Sequence, residues 1–306
     1  MVRLVLLTAA RAGEEERVAK VLTIPNFWRA IEPCEGAFTH HTIQTVPLAF
    51  LKQFKEYVTS MAEMNIIKNY RIILTGDSVP NFPDFSSYNS ASKEWTFNWE
   101  GWLSELEYAA ATRTIVDPEE YVLRADKTDI LIIKTLEKNA RATFIDIARD
   151  IGVSPQTVKY HYDTKLIPSG LVEHFLLDVL PYPMEMAATH EVMLEFTSND
   201  AMNKFFSLIE KLFFVITVSK VLHRNALFVR TNVPHSQVSR MFQFFSQMAR
   251  NDLIESYSVV RLDYSGRRTQ TISYELFDDQ KGWVWDFDKS LLELRSLSNE
   301  ALFPGR

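Results

Sequence analysis

The side chains best suited to recognition chemistry crowd into one short stretch, Ser154 to Lys165, reading SPQTVKYHYDTK. Gln156 can pair with adenine edges, Lys159 can reach a phosphate or a guanine, and Thr157 can contact a phosphate or a thymine methyl. Ser154, Tyr160, His161 and Lys165 add hydrogen-bonding reach, so the expected contact set is Ser154, Gln156, Thr157, Lys159, Tyr160, His161 and Lys165. Such groups suit recognition of a polyanion by hydrogen bonding and charge pairing. The titratable groups elsewhere make a thinner case for catalysis. His40, His41, His223 and Arg224 fall near equivalent strands of a repeat. His40 and His41 are adjacent, so on a strand only one of them can point inward. No nucleophile–base pairing, Gly-rich phosphate loop or His/carboxylate spacing typical of a metal site is legible. No cofactor, metal or enzymatic activity is therefore expected. Cys34 is the single cysteine, which excludes an intrachain disulfide and a cysteine-based zinc site and fits a small buried apolar residue.

The elements that must carry the 154–165 stretch are readable. Ser154 is an N-cap and Pro155 occupies the first helical position, where a missing N–H costs nothing, so a helix is expected over 155–165. Thr143 caps a preceding helix, 144–150, whose inner face is Phe144, Ile147, Ala148 and Ile151. Gly152 follows where a tight turn wants a positive φ. A first helix, 128–138, carries an apolar stripe. Helix, glycine turn and capped helix form the helix-turn-helix plan, with Val153 and Val158 filling the crossing. In that plan the N-terminal half of the last helix enters the major groove.

The flanking sequence repeats. Phe27 meets Phe214 and Pro47 meets Pro234 at an offset of 187, and Val5 meets Val192. One residue further on, WTFNWEGWLSEL from Trp95 meets WVWDFDKSLLEL from Trp283. Each copy alternates strand-like and helical apolar patterns. The first has strands over 2–8, 27–32, 38–46 and 67–74 and helices over 12–22 and 48–64. The second runs 191–197, 201–212, 214–220, 226–232, 236–249 and 254–262. The order is βαββαβ, the ferredoxin-like arrangement. After each copy comes an aromatic extension, in which Trp95, Phe97 and Trp99, like Trp283, Trp285 and Phe287, alternate as in a strand that extends or seals the sheet before a short helix. The expected class is α+β, with segments 1–112, 117–182 and 187–306.

The net charge is -6. From Asp126 to Glu173 seven Lys or Arg balance seven Asp or Glu. This is lean for binding to DNA, where phosphate neutralisation dominates non-specific affinity, and favours weak monomeric binding strengthened by dimerisation. No apolar run approaches the roughly 20 residues that span a bilayer. The start, MVRLVLLTAARAGEEER, lacks the shape of a signal peptide, so no membrane association and a cytoplasmic location are expected.

The central segment resembles the winged helix-turn-helix of the Lrp/AsnC family, especially its archaeal members. DKTDILIIKTLEKNAR, IDIARDIGVSPQTVKYHY and LIPSGLV carry the likeness, with Ser169 and Gly170 ahead of a strand leaving the domain. The βαββαβ copies are similar to that family's ligand-sensing, dimer-forming module, known as the RAM domain. The resemblance implies two ferredoxin-like modules flanking a winged helix-turn-helix in a transcription regulator that binds double-stranded DNA. It also implies a homodimer, since one reading helix per chain needs a partner for two half-sites, and a small-molecule effector. The order module, helix-turn-helix, module departs from the family's usual order and suggests a reading frame that extends upstream through a second winged helix. LHRNALF and EGAFTHH lack the family's Gly and Tyr-Asp pair at the third strand, which puts amino-acid sensing in doubt. A protein-interaction scaffold is the plainer reading. A siroheme-decarboxylase-like enzyme is the third, because a group of haem-pathway decarboxylases shares this architecture.

Overall fold

Alternating apolar residues in the first copy build β1 (Val2–Ala9), α1 (Glu15–Thr23), β2 (Trp28–Glu35), β3 (His40–Val46), α2 (Leu51–Glu63) and β4 (Asn69–Thr75). The computed structural model describes residues 1–82, 84–118, 125–173, 175 and 180–300. An extension follows: β5 (Val79–Pro80), β6 (Tyr88–Asn89), β7 (Glu94–Trp95) and α3 (Trp99–Tyr108). The central unit holds α4 (Lys127–Lys138), α5 (Phe144–Ile151) and α6 (Pro155–His161). The second copy repeats the first as β8 (Ala187–Phe196), α7 (Asn199–Leu208), β9 (Val215–Lys220), β10 (Ala226–Pro234), α8 (Val238–Arg250) and β11 (Ile254–Leu262). Its extension is β12 (Arg268–Thr269), β13 (Phe277–Asp278), β14 (Gly282–Trp283) and α9 (Phe287–Glu300). The class is α+β, as expected.

The two modules form one sheet, ordered β4-β1-β3-β2-β11-β8-β10-β9-β5. β11 joins β2 through Arg261↔Glu35 and Leu262↔Cys34. At the other edge Thr75 bridges Val221, and Gly76 N donates to Lys220 O at 2.8 Å, so the sheet curls until its ends meet. Val5, Leu7, Met193, Phe228 and Val260 fill the space between the modules. Cys34 lies there too, and burial first, then the Glu32 charge, pushes its thiol up to about 12. The outer faces of the sheets bear the helices. Leu4 and Leu6 face α1 and α2, as Val192 and Leu194 face α7 and α8. The burial equivalent of Val5 is thus Met193, one residue beyond the expected Val192.

Each extension crosses to the module it does not follow. β5 pairs with β9, and Trp99, Trp102, Leu106 and Ile115 enter the core of the second module. β12 pairs with β2, and Leu294 enters the core of the first, with Trp285 and Phe287 packed against it. The two modules pair with each other inside one chain, through β11 and β2. The expected Trp95–Phe97–Trp99 strand is cut short: the strand is Glu94–Trp95, pairing ends with Thr96 N on Ser87 O, and Asn98 accepts from Gly101 N to start α3 at Trp99. Asp286 accepts from Lys289 N in the same way, ahead of the second pattern's continuation. The strand expected after Gly170 falls partly on residues 174 and 176–179, outside the described residues. Among the described residues, no helix is long and apolar enough to cross a membrane.

Candidate nucleic-acid interface

α4 starts with Asp126 and Asp129 in a reciprocal capping box, and α5 with Thr143 and Asp146 in another. Gly152 closes α5 at φ +77°, a left-handed conformation that favours glycine. Ser154 Oγ accepts from Thr157 N at 3.1 Å and starts α6 at Pro155. Ile132, Leu136, Ile147, Ala148, Val158 and Leu166 form a core of their own. The expected 155–165 helix ends its regular turns at His161 and continues as a wider π-turn over Tyr162–Leu166.

Of the seven expected contact residues, the structure turns five outward. Ser154, Gln156, Lys159 and Tyr160 are exposed, and Thr157 is half-buried beside its cap. Lys159 pairs along the surface with Asp163. His161 does not face outward: its ring is buried and Nδ1 lies 2.6 Å from Asp129 Oδ1. Lys165 is tied down as well, with Nζ 2.5 Å from Asp126 Oδ2 and 3.7 Å from Asp129 Oδ2. The reason is helical spacing. His161 and Lys165 follow buried Val158 by three and seven residues and share its inward face. Burial pushes the Asp126 carboxyl up, but Lys165, the Asp129 amide and His161 outweigh this and leave it below its ordinary range. The donor atoms of Asp126, Asp129 and His161 lie within 4.8 Å of one another, a spacing that suits a cation. The Lys165 ammonium already fills that role. Asp129 was overlooked in the sequence, although it occupies the apolar stripe with Ile132, Ile133 and Leu136, where an acid needs a buried partner.

α4 holds the unit to the modules. Lys127 Nζ donates to the carbonyls of Tyr274 and Phe277, and Lys127 N donates to Asp279 Oδ1 at 2.7 Å. Lys134 lies 5.0 Å over the Tyr274 ring. Glu137 pairs with Arg29 and accepts from Ile272 N at 2.7 Å. The helix carrying Gln156 and Lys159 packs on α4 and α5, leaving its polar side open.

Residues 126–164 match the family model described as winged helix-turn-helix DNA-binding. This segment is a winged helix-turn-helix. The rest of the chain extends well beyond that match, and no curated protein matches the sequence significantly. Among solved structures the chain is similar to AsnC of E. coli, at 18% identity over 50% of this chain and 99% of that one, with a TM-score of 0.36. It is similar to LrpC of B. subtilis at 16% identity over 46% and 96%, with a TM-score of 0.36. The siroheme decarboxylase NirDL matches at 13% identity over 96% of this chain and 78% of that one, with a TM-score of 0.52, and so shares the fold across both modules and the winged helix-turn-helix. The chain thus carries a winged helix-turn-helix of DNA-binding type between two α+β modules.

A second concentration of charge lies between the modules, away from the winged helix-turn-helix. Arg230 donates to Glu32 at 2.7 and 2.9 Å and to Glu191 at 2.8 Å, and His41 Nδ1 lies 2.9 Å from Glu32. All four side chains are buried. Burial pushes the Glu32 carboxyl up, yet Arg230 and His41 together hold it at about 2. The signal for this cluster was a lone charge at an inward position of an apolar strand, as in ALFVRTNV around Arg230. The candidate catalytic residues are not brought together. His41 is sealed in the cluster, and His40 lines a cavity of about 250 Å³ beside Cys34 and Arg268. His223 and Arg224 line a different cavity of about 440 Å³.

Proposed function

We propose that this protein is a DNA-binding transcription regulator that reads the major groove with Gln156, Thr157, Lys159 and Tyr160, with Ser154 setting the start of the reading helix. The supporting observation is the orientation of the unit: α4 is docked on the modules while the polar side of α6 is exposed. His161 and Lys165 act one step back, holding α6 to the carboxylates of α4. Two copies supply two half-sites, since each chain carries one described reading helix and its modules already pair with each other. A small-molecule effector would act through α4, the element that joins the reading unit to the modules. The test is a titration of a duplex from the protein's own upstream region. Affinity should fall steeply with added salt. Gln156→Ala with Lys159→Ala should weaken binding at least about tenfold, given about 1–3 kcal/mol for each base-edge contact. Thermal stability should not change. Unaltered binding by the double variant would refute the assignment of α6 as reader.

A second reading, a decarboxylase acting on a tetrapyrrole, draws on the fold shared with NirDL. His40 is its best-placed residue. Adding an iron tetrapyrrole to the protein should then shift the absorbance bands, and His40→Ala should abolish the shift. Bands identical to those of the free tetrapyrrole would dispose of it.

A further inference from the structure

The two extensions are built alike but covered differently. In the second, the 3-10 turn Tyr274–Leu276 leads into the β13–β14 hairpin, and Val284 N donates to Leu276 O at 2.8 Å. In the first, the 3-10 turn Phe85–Ser87 leads into the β6–β7 hairpin, and Thr96 N donates to Ser87 O at 2.8 Å. Phe85 therefore stands where Tyr274 stands, and Tyr88 where Phe277 stands. The Tyr274 face is occupied by α4 of the winged helix-turn-helix, whose Lys127 and Lys134 lie 5.7 and 5.0 Å over the ring. Among the described residues, none covers the Phe85 face as α4 covers the Tyr274 face. Phe82 is 64% exposed and Phe85 68%, with half-buried Trp95 at 5.4 Å from Phe85. Contiguous exposed apolar surface of this kind marks interaction sites.

We propose that the Phe85 face is a docking surface for the first helix of a winged helix-turn-helix borne by another protein. The chemistry of that helix follows from the occupied face: two lysines seven residues apart, so that both ammonium groups meet one aromatic ring. Asp84, exposed and next to Phe85 in the chain, adds an acid that favours a basic helix. The differences between the faces define the partner further. Asp279 is replaced by Ser90, and Arg29, which pairs with Glu137, by Ile216. The partner helix thus needs neither the Asp279 contact at its first turn nor an acid placed like Glu137. A second copy of this chain fits less well, because its own α4 keeps both contacts at the Tyr274 face. The surface is independent of DNA reading, so either can fail without the other.

The probe is a helix-stapled peptide of residues 126–139, labelled and titrated into the full-length protein with anisotropy as the readout. Saturable binding is expected, at least tenfold weaker for the Lys127→Ala/Lys134→Ala peptide and at least tenfold weaker for the Phe85→Ala protein. Leu48→Ala, an exposed apolar control elsewhere, should leave it unchanged. Binding that survives Phe85→Ala, or no saturation below millimolar peptide, overturns the proposal. So does a self-associated protein that Phe85→Ala converts to monomer, because the occupant is then a second copy.

Discussion

Arg230→Met is expected to cost about 3–5 kcal/mol of folding stability at neutral pH, because it strips the shared cation from two buried carboxylates. Glu32 and Glu191 would then face each other across the module boundary, with His41 near both and Arg267 Nε 3.2 Å from Glu32 but less buried than Arg230. The pH dependence carries a distinct sign. In the native protein the Glu32 carboxyl is depressed to about 2. Its contribution is present above the ordinary carboxylate range and is lost as pH falls toward that value. Without Arg230, the burial that already opposes ionisation takes over and Glu32 is pushed upward. Protonation then relieves the variant, so its deficit should be smaller at pH 4.5 than at pH 7.5. Urea unfolding at both pH values measures this. A deficit below about 1 kcal/mol at neutral pH, or one that does not shrink on acidification, would mean that the cluster does not act as one unit. The single sheet passing through both modules makes the loss global, since Glu32 and Arg230 belong to different copies.

Trp102→Ala should cost a similar amount, about 3–5 kcal/mol for a buried aromatic, and its location should be unexpected from chain order. Trp102 follows the first module in sequence but sits 5.8 Å from Phe214 and 6.3 Å from Phe213 in the second. Amide exchange should therefore quicken first in β8–β11 and not in β1–β4. Faster exchange confined to β1–β4 would contradict the crossing of the extensions. The crossing also explains how modules of modest size remain together. Each core contains side chains from the other half, so neither half completes its burial alone.

Local chemistry was enough to read most of the elements. Strand alternation and helical stripes repeat in both copies. Caps at Thr143 and Ser154 and the turn at Gly152 locate the helix-turn-helix within a residue or two, because those signals act over three or four neighbouring positions. The outward side of α6 was readable for the same reason: Gln156, Lys159 and Tyr160 lie opposite Val158. His161 and Lys165 were misread because their partners, Asp129 and Asp126, are more than thirty residues away on another helix. A polar side chain looks the same in the chain whether its partner is water or a buried carboxylate. The strand-like pattern at Trp95, Phe97 and Trp99 misled similarly, since an Asn98 cap outweighed alternation.

The amino-acid order thus specifies what forms over a few residues: periodicity, caps, turns and the duplication itself. It leaves open which surface each piece covers, because two near-identical modules offer near-identical apolar faces and local pattern cannot choose between them. That choice rests on contacts between distant segments. The chain leaving β4 runs along β9, the chain leaving β11 runs along β2, and α4 lands on one aromatic hairpin and not on its twin. The buried Glu32–Arg230–Glu191 contacts exist for the same reason, as they form only once both copies share one curled sheet.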